Sequence, residues 1–197
     1  MLELLSPAGS MEALRAAVQN GANAVYLGVG NLNARQSAKN FTPQTLVDAV
    51  KYCHVRGVDV HLTLNTLVSD REMKEAAELI RHAAQYNIDA FIVQDLGVVQ
   101  LCRQIAPHIP IHGSTQMTIH SLPGVQLCAA MGMKRVVLSR ELSREEIRYI
   151  CANSPIEIEV FAHGALCMSY SGQCYLSAAI GGRSGNRGRC AQPCRQS

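Results

Sequence analysis

The chain has 197 residues, of which 48% are hydrophobic and 17% charged, and its formal net charge is +3. This composition is typical of a soluble globular protein with one hydrophobic core, and no apolar run approaches the roughly 20 residues that a membrane-spanning helix needs. The N-terminus carries the acidic residue Glu3 and no basic segment, so we expect no signal peptide. We therefore expect the eight cysteines to lie in a reducing cytoplasm, where clustered thiols indicate metal or redox chemistry.

Short apolar runs alternate with amphipathic segments along most of the chain. The predicted strands are 2–5, 24–27, 58–64, 90–93, 109–112, 135–138 and 156–161. The predicted helices are 11–20, 43–56, 71–86, 96–105, 122–131 and 145–153. Ser10, Asp70 and Ser143 are expected to cap helices, Ser143 in a capping box with Glu146, and Pro43 suits the first helical position.

This regular alternation predicts parallel strands joined by right-handed crossovers. An open doubly wound sheet is expected to carry a dinucleotide-binding glycine motif, but the Gly28–Gly30 segment lacks its third glycine. Polar residues just after each strand instead favour an α/β fold, namely a TIM-type (β/α)8 barrel. The barrel would be incomplete, because the sequence contains only about seven βα units. We expect segments beyond residue 197 to complete it, and the open edges to promote self-association.

We divide the chain into barrel units at 1–162 and a loop rich in Cys, Gly and Arg at 163–197, expected to lie over the barrel mouth. The polar residues at the predicted strand ends are Ser6, Gly9, Gly28, Asn33, Arg35, Asn65, Gln94, Asp95, Ser114, Gln116, Arg140, Glu141 and His163. Taken one at a time, most of these residues are explained by a helix cap or a loop hydrogen bond, and Asp95 in particular is expected to cap its helix. Two histidines, His61 and His112, are placed to face the barrel interior.

Three of the mouth residues are long enough to clamp an anionic small molecule, namely Arg35, Gln116 and Arg140. Together with His163 they are the predicted catalytic residues. Residues 181–197 contain four arginines and no acidic residue, which leaves a net charge of −1 on the rest of the chain. A basic segment on a near-neutral body predicts an anionic partner, phosphate or nucleic acid, although a solvated glycine-rich loop is the alternative. The predicted RNA-binding residues are Asn65, Arg183, Arg187 and Arg189.

The cysteines fall into two groups. Those on predicted helices lie among apolar residues and are expected to fill the core: Cys53, Cys102, Cys128 and Cys151. The second group has the spacing C-x6-C-x15-C-x3-C: Cys167, Cys174, Cys190 and Cys194. Only its last pair fits a zinc knuckle, so the irregular spacing favours an iron–sulfur cluster, with zinc, metal-free thiols or a disulfide as alternatives.

Familiar hydrolase motifs are missing, since the sequence has neither G-x-S-x-G nor H-E-x-x-H. Cys167 and His163 could form a nucleophile and its base, although residues four apart in a loop have no guaranteed geometry.

Residues 159–177, EVFAHGALCMSYSGQCYLS, resemble the signature of peptidase family U32, E-x-F-x-x-G-[SA]-[LIVM]-C-x4-G-x-C-x-[LIVM]-S, at every position. The opening segment ELLSPAGSMEALRAAVQNGANAVYLG and the later RGRCAQPCR also resemble that family. The resemblance spans nearly the whole chain and implies a barrel fold. It also implies that the chain is the first part of a longer protein.

The resemblance implies two competing functions. The family name comes from collagenase-like peptidases, whereas other members resemble iron–sulfur proteins of oxygen-independent or prephenate-dependent hydroxylation of tRNA, ribosomal RNA or a ubiquinone precursor. In that second group the cysteines matching Cys167, Cys174 and Cys190 are cluster ligands, and the fourth ligand matches Cys194 or lies downstream. We therefore predict an RNA hydroxylation factor with a [4Fe–4S] cluster, and with RNA and a small anionic metabolite such as prephenate as partners. A peptidase acting on peptides and a non-catalytic accessory subunit are the alternatives.

Overall fold

The computed structural model describes residues 2–34, 36, 39–164, 166–170 and 172–195. Its strands form one parallel sheet in chain order. They are β1 (Leu5–Pro7), β2 (Ala24–Gly28), β3 (Asp59–Leu64), β4 (Ala90–Val93), β5 (Ile111–Gly113), β6 (Arg135–Val137) and β7 (Glu157–Glu159). Each strand pairs with its neighbours in sequence, and within the described residues β1 and β7 are the outer strands. The sheet curls into an incomplete TIM-type barrel, as predicted.

Helices follow the strands on the outside of the sheet. They are α1 (Met11–Gln19), α2 (Pro43–His54), α3 (Met73–Gln85), α4 (Leu96–Ile105), α5 (Leu122–Ala130), α6 (Arg144–Asn153) and α7 (Leu176–Gly181). Hydrogen bonds confirm the Ser10 cap of α1 and the Ser143–Glu146 capping box of α6. Asp95 caps α4 by accepting from the N–H groups of Gly97 and Val98, as its simpler interpretation predicted. None of the helices in the described ranges has the length and apolar character needed to cross a bilayer.

Several local predictions were wrong. β5 begins at Ile111 rather than Ile109, and β7 ends at Glu159, because Val160 and Phe161 (both 45% exposed) lie outside the core. β1 begins at Leu5, because Leu2 (97% exposed) and Leu4 (52% exposed) lie outside the core. Ser69, rather than Asp70, is the N-cap, with its N–H and its hydroxyl both donating to the Glu72 carboxylate, and a 3-10 turn (Asp70–Glu72) precedes α3. Cys151 is exposed, since the buried side of α6 is occupied by its neighbour Ile150, about 100° away around the helix. The other three helical cysteines are buried, as predicted.

Alternate strand residues pack outwards against the helices and form the hydrophobic core. The outward-facing strand residues are Val25, Leu27, Val60, Leu62, Leu64, Phe91, Val93, Ile111 and Val136. Their helical partners include Leu14, Leu46, Ile80, Val98 and Ile150. Because side chains alternate along a strand, the residues between the outward-facing ones line the inside of the curled sheet, here called the lumen.

The lumen is unusually polar. His61 on β3 and His112 on β5 are 3% and 5% exposed, and their rings meet edge to face at 4.9 Å across the intervening β4. This contact confirms that both histidines face the interior. A typical TIM-barrel lumen is filled by branched aliphatic side chains, so polar groups here require another explanation.

Arg135 on β6 holds the open end of the barrel together. Its guanidinium Nη1 and Nη2 donate to the two carboxylate oxygens of Glu3 at 2.6 and 2.9 Å, and its Nε donates to Glu157 Oε2 at 2.8 Å. Glu159 Oε2 lies 3.6 Å from Nη1, an ion-pair distance too long for a hydrogen bond. These contacts connect β6 with β7 and with the residues just before β1.

Stability should depend on the protonation of the two lumen histidines. Burial lowers the pKa of His61 to about 4 and that of His112 to about 3, against an ordinary value of 6.5. The carboxylates of Glu3, Asp89 and Glu157 oppose the shift at His61, and Arg135 reinforces it. Below about pH 6.5 the unfolded chain binds protons that the folded chain does not. As the pH is lowered below this value, the free energy of unfolding should therefore decrease by about 1.4 kcal/mol per pH unit for each ring.

Urea unfolding at several pH values between about 7 and 5 measures this slope. The double variant His61→Gln/His112→Gln should lose most of it. The variant His82→Gln, at an exposed position on α3, serves as the matched control and should keep it. A wild-type stability that stays constant over this range would contradict the assignment of two buried neutral rings.

Candidate functional site

The predicted mouth residues are found where strands β3, β5 and β6 end. Gln116 is half-buried in a 3-10 turn (Thr115–Met117) after β5, where its N–H donates to Ser114 Oγ at 3.2 Å. Asn65 follows β3 and accepts from the N–H of Ala34 at 2.9 Å, which fixes the loop after β2. The guanidinium of Arg140, after β6, lies 5.5 Å from the centre of the Phe161 ring, within cation–π range. Arg35, predicted to clamp an anion together with Gln116 and Arg140, lies outside the described residues.

His163 is exposed at the start of the loop, as is Cys167. In the part of the chain that the structure describes, no hydrogen bond joins the His163 imidazole to the Cys167 thiol. A nucleophile needs a base within hydrogen-bond reach. The structure therefore does not assemble the Cys–His pair that the sequence left open.

Two glycines seat the Cys-rich loop on the barrel. Gly172 has φ +78° and Gly188 has φ +71°, both in the left-handed region. A Cβ at Gly172 would lie less than 3.0 Å from the carbonyl oxygen of Gln116, and one at Gly188 would be equally close to the carbonyl of Asn33. The loop thus packs backbone against backbone on the segments that follow β5 and β2, which only glycine permits.

A half-buried ion pair makes the third attachment of the loop. The Arg187 guanidinium pairs with the Glu72 carboxylate and donates to the carbonyl of Leu67 at 3.0 Å, while the Leu67 N–H donates to the carbonyl of Asn186. Hydrogen bonds from Arg187 and Ser69 lower the pKa of Glu72 to about 2. Arg187 was predicted to bind RNA, and that role stays a prediction. In the structure its side chain binds the loop after β3.

The other two predicted RNA-binding arginines of the loop are exposed. Arg183 Nε donates to the backbone carbonyl of Arg189 at 3.2 Å, which holds the two residues together. No local pattern predicts Glu72 as the partner of Arg187, because the two residues are 115 positions apart. One of the four positive charges counted in residues 181–197 is therefore compensated inside the molecule.

The loop folds back on itself and brings its cysteine segments together in pairs. Buried Ser177 Oγ accepts from the Ala191 N–H at 2.9 Å, next to Cys190. The Arg195 guanidinium donates to the Leu166 carbonyl, which places the segment of Cys194 beside that of Cys167. A Cβ at Gly185 would lie 3.6 Å from the Cys190 Cβ and 4.0 Å from the Cys174 carbonyl oxygen.

The four thiols have the chemical character of cluster ligands. Cys174 is half-buried and the other three are exposed. The Leu176 N–H donates to Cys174 Sγ and the Gln192 N–H to Cys190 Sγ, both at 3.4 Å, and such bonds stabilise a thiolate. Among the described residues, however, no three Cys, His, Asp or Glu side chains are grouped closely enough to hold a metal ion. The donor type suits an iron–sulfur cluster, while the arrangement of the sulfur atoms is not that of a closed cage.

The family model described as "Peptidase family U32" matches residues 9–197, nearly the whole chain. The chain belongs to this family. Its signature, recognised in residues 159–177, contains Glu159 in the lumen, Gly172 at the loop seat and two of the four thiols.

Curated relatives of this U32 chain have different names. It is 42% identical over 194 residues to the 23S rRNA 5-hydroxycytidine C2501 synthase of Escherichia coli (98% of this chain, 29% of the relative). It is 42% identical over 196 residues to tRNA hydroxylation protein P of Helicobacter pylori (98% and 46%). It is also 37% identical over 206 residues to a protein of Porphyromonas gingivalis named collagenase (98% and 49%). The chain therefore spans less than half the length of each of these relatives.

Among solved structures, a U32 peptidase matches with a TM-score of 0.69 at 15% sequence identity. The match covers 81% of this chain and 68% of that one. At this identity the likeness establishes the fold, and it confirms the TIM-type assignment.

The seat of the loop can be tested with Gly172→Ala. The new methyl group would have to occupy a left-handed backbone position and would clash with the Gln116 carbonyl, so we expect a loss of roughly 1–3 kcal/mol in the free energy of unfolding. The matched control is Gly181→Ala in the same loop, where a Cβ meets nothing within 4 Å. Urea unfolding measures both. An equal loss of stability for the two substitutions would contradict the close packing of Gly172 against the Gln116 carbonyl.

Proposed function

We propose that this chain is the barrel part of an iron–sulfur-dependent RNA hydroxylation factor of the cytoplasm. The observation that carries the proposal is the 42% identity, over almost the whole chain, to an rRNA hydroxycytidine synthase and to a tRNA hydroxylation protein. The relatives are more than twice as long, so the activity would belong to a larger protein that contains this barrel.

The loop would hold the cofactor. Cys167, Cys174 and Cys190, with Cys194 or a residue beyond 197, would bind a [4Fe–4S] cluster, in keeping with four free thiols on one segment that contains arginines and no acid. A bound cluster of this type supplies single electrons. The backbone N–H groups that donate to Cys174 Sγ and Cys190 Sγ would also donate to these sulfur atoms when they ligate the cluster.

The same face of the molecule would bind the substrates. Exposed Arg183 and Arg189 would contact RNA phosphates. At the mouth, Arg140 and the Gln116 side chain would position a small anionic metabolite such as prephenate, with Arg35 as the further predicted member of that clamp. The open strands β1 and β7 are the surfaces through which self-association would occur.

A peptidase is the second candidate, and the family description and the relative named collagenase favour it. Peptide hydrolysis requires an activated water or a nucleophile with a base beside it. The exposed thiol of Cys167 and the exposed imidazole of His163 lack this geometry in the described residues. We therefore favour hydroxylation over peptide hydrolysis.

Nucleoside mass spectrometry of a deletion strain tests the proposal. RNA from cells that lack the full-length protein should lose one hydroxylated pyrimidine nucleoside. The wild-type gene should restore it, and a gene carrying Cys174→Ser should not, because that thiol is a predicted ligand. Cys151→Ser changes an exposed cysteine outside the loop and should restore it fully. An unchanged nucleoside profile together with gelatin cleavage by the pure full-length protein would favour the peptidase instead.

A further inference from the structure

Buried polar atoms without hydrogen-bond partners are concentrated in the barrel lumen. Within the described residues, five buried side-chain atoms lack such a partner. They are His61 Nδ1, Gln94 Oε1, His112 Nδ1, Ser139 Oγ and Glu159 Oε2. They come from five successive strands or the residues just after them, from β3 to β7.

All five side chains face inwards. The residue just before each of Gln94, Ser139 and Glu159 packs outwards with the core, so alternation turns these three side chains towards the lumen. His61 and His112 meet each other there. Apart from Glu159, whose side chain is 21% exposed, the residues are at most 8% exposed. Folded proteins satisfy nearly all buried polar groups. Four unpartnered groups on the inner side of one sheet, beside a Glu159 oxygen whose contact with Arg135 is 3.6 Å long, therefore point to a binding site.

The charges in the lumen restrict the kind of ligand. Arg135 is already surrounded by the carboxylates of Glu3, Glu157 and Glu159. Among the described residues that line the lumen, no positive charge therefore remains to hold an anion. Gln94 Oε1 and Glu159 Oε2 accept hydrogen bonds, while Ser139 and the two neutral imidazoles can accept or donate. The chamber is therefore complementary to a group that donates several hydrogen bonds and carries no negative charge.

Gln94 connects the lumen with the barrel mouth. Its Nε2 donates to the carbonyl of Gln116 at 3.3 Å, and the same carbonyl supports Gly172 of the loop. Because the amide nitrogen is used at the mouth, the amide oxygen is the atom available to a ligand in the lumen. The lumen site lies directly beneath the seat of the Cys-rich loop.

We propose that the lumen lined by His61, Gln94, His112, Ser139 and Glu159 binds a neutral ligand that donates hydrogen bonds through amino or hydroxyl groups. Two sources have this chemistry, namely the base of a pyrimidine nucleotide and a neutral polyhydroxylated co-substrate. Only the first source rests on the proposed RNA function. The lumen site is distinct from the anion clamp proposed at the mouth.

Stability measurements on two buried serines test whether the Ser139 hydroxyl serves ligand binding rather than the stability of the fold. Ser139→Ala removes an unpartnered hydroxyl, so the melting temperature should stay equal or rise. Ser114→Ala is the matched control, since Ser114 is 1% exposed and its Oγ accepts from the Gln116 N–H, and its melting temperature should fall. An equal fall for both variants would show that the Ser139 hydroxyl is structural, and would overturn the proposal.

Binding is measured on the full-length protein labelled with 15N-histidine, with His61 and His112 assigned from their Gln variants. Cytidine and myo-inositol are the neutral probes and malate is the anionic one. We expect one neutral probe to shift both histidine signals and Ser139→Ala to weaken that probe roughly three- to tenfold, the loss of one hydrogen bond. A response to cytidine identifies the nucleotide source, and a response to myo-inositol identifies the polyol source.

Two results would overturn the proposal. One is the absence of any shift up to the solubility of all three probes, which is the result for a lumen filled by ordered water. The other is a larger shift with malate than with either neutral probe, which would contradict the charge argument. Both readouts are independent of RNA hydroxylation, so a strain with unchanged nucleosides would refute the proposed function while leaving this site intact.

Discussion

The ionic contacts of Arg135 hold the open end of the barrel together. The Arg135 side chain is 11% exposed, and its guanidinium binds carboxylates that come from before β1 and from β7. A buried charge is tolerated only when it is paired, so these contacts bring together the two edges of a sheet that does not close by strand pairing within the described residues. The same contacts neutralise Arg135. Besides the Glu159 carboxylate, the lumen presents two imidazoles, an amide and a hydroxyl.

The U32 signature can be understood physically from this arrangement. Its first residue, Glu159, faces the lumen beside Arg135, and Phe161 packs under Arg140. Gly172 lies against the Gln116 carbonyl, and the Ser177 hydroxyl fixes the later part of the loop. Much of the signature thus attaches the Cys-rich loop to the barrel mouth. Two of the four thiols of the loop, those of Cys167 and Cys174, belong to this attached segment.

The elements with local signals were predictable from the sequence, and the long-range contacts were not. Ser10 and Ser143 mark helix starts through side chains only three residues from their partners, and the strands follow the apolar alternation. The pairs Arg135–Glu3 and Arg187–Glu72 join residues 132 and 115 positions apart, and nothing local announces them. Cys151 looked like its buried counterparts because its sequence neighbours are apolar, yet the helix turns it outwards. At the site, the sequence pointed to polar groups at the mouth and in the lumen but could not show which of them lack partners.

The metal content of the full-length protein, purified without oxygen, tests whether the loop of this U32 barrel holds an iron–sulfur cluster for RNA hydroxylation. We expect a brown protein with about four iron atoms per chain. Cys174→Ser should lose that iron, and Cys151→Ser should keep it. A colourless wild-type protein free of iron, with zinc or a Cys167–Cys174 disulfide in the loop, would contradict the account.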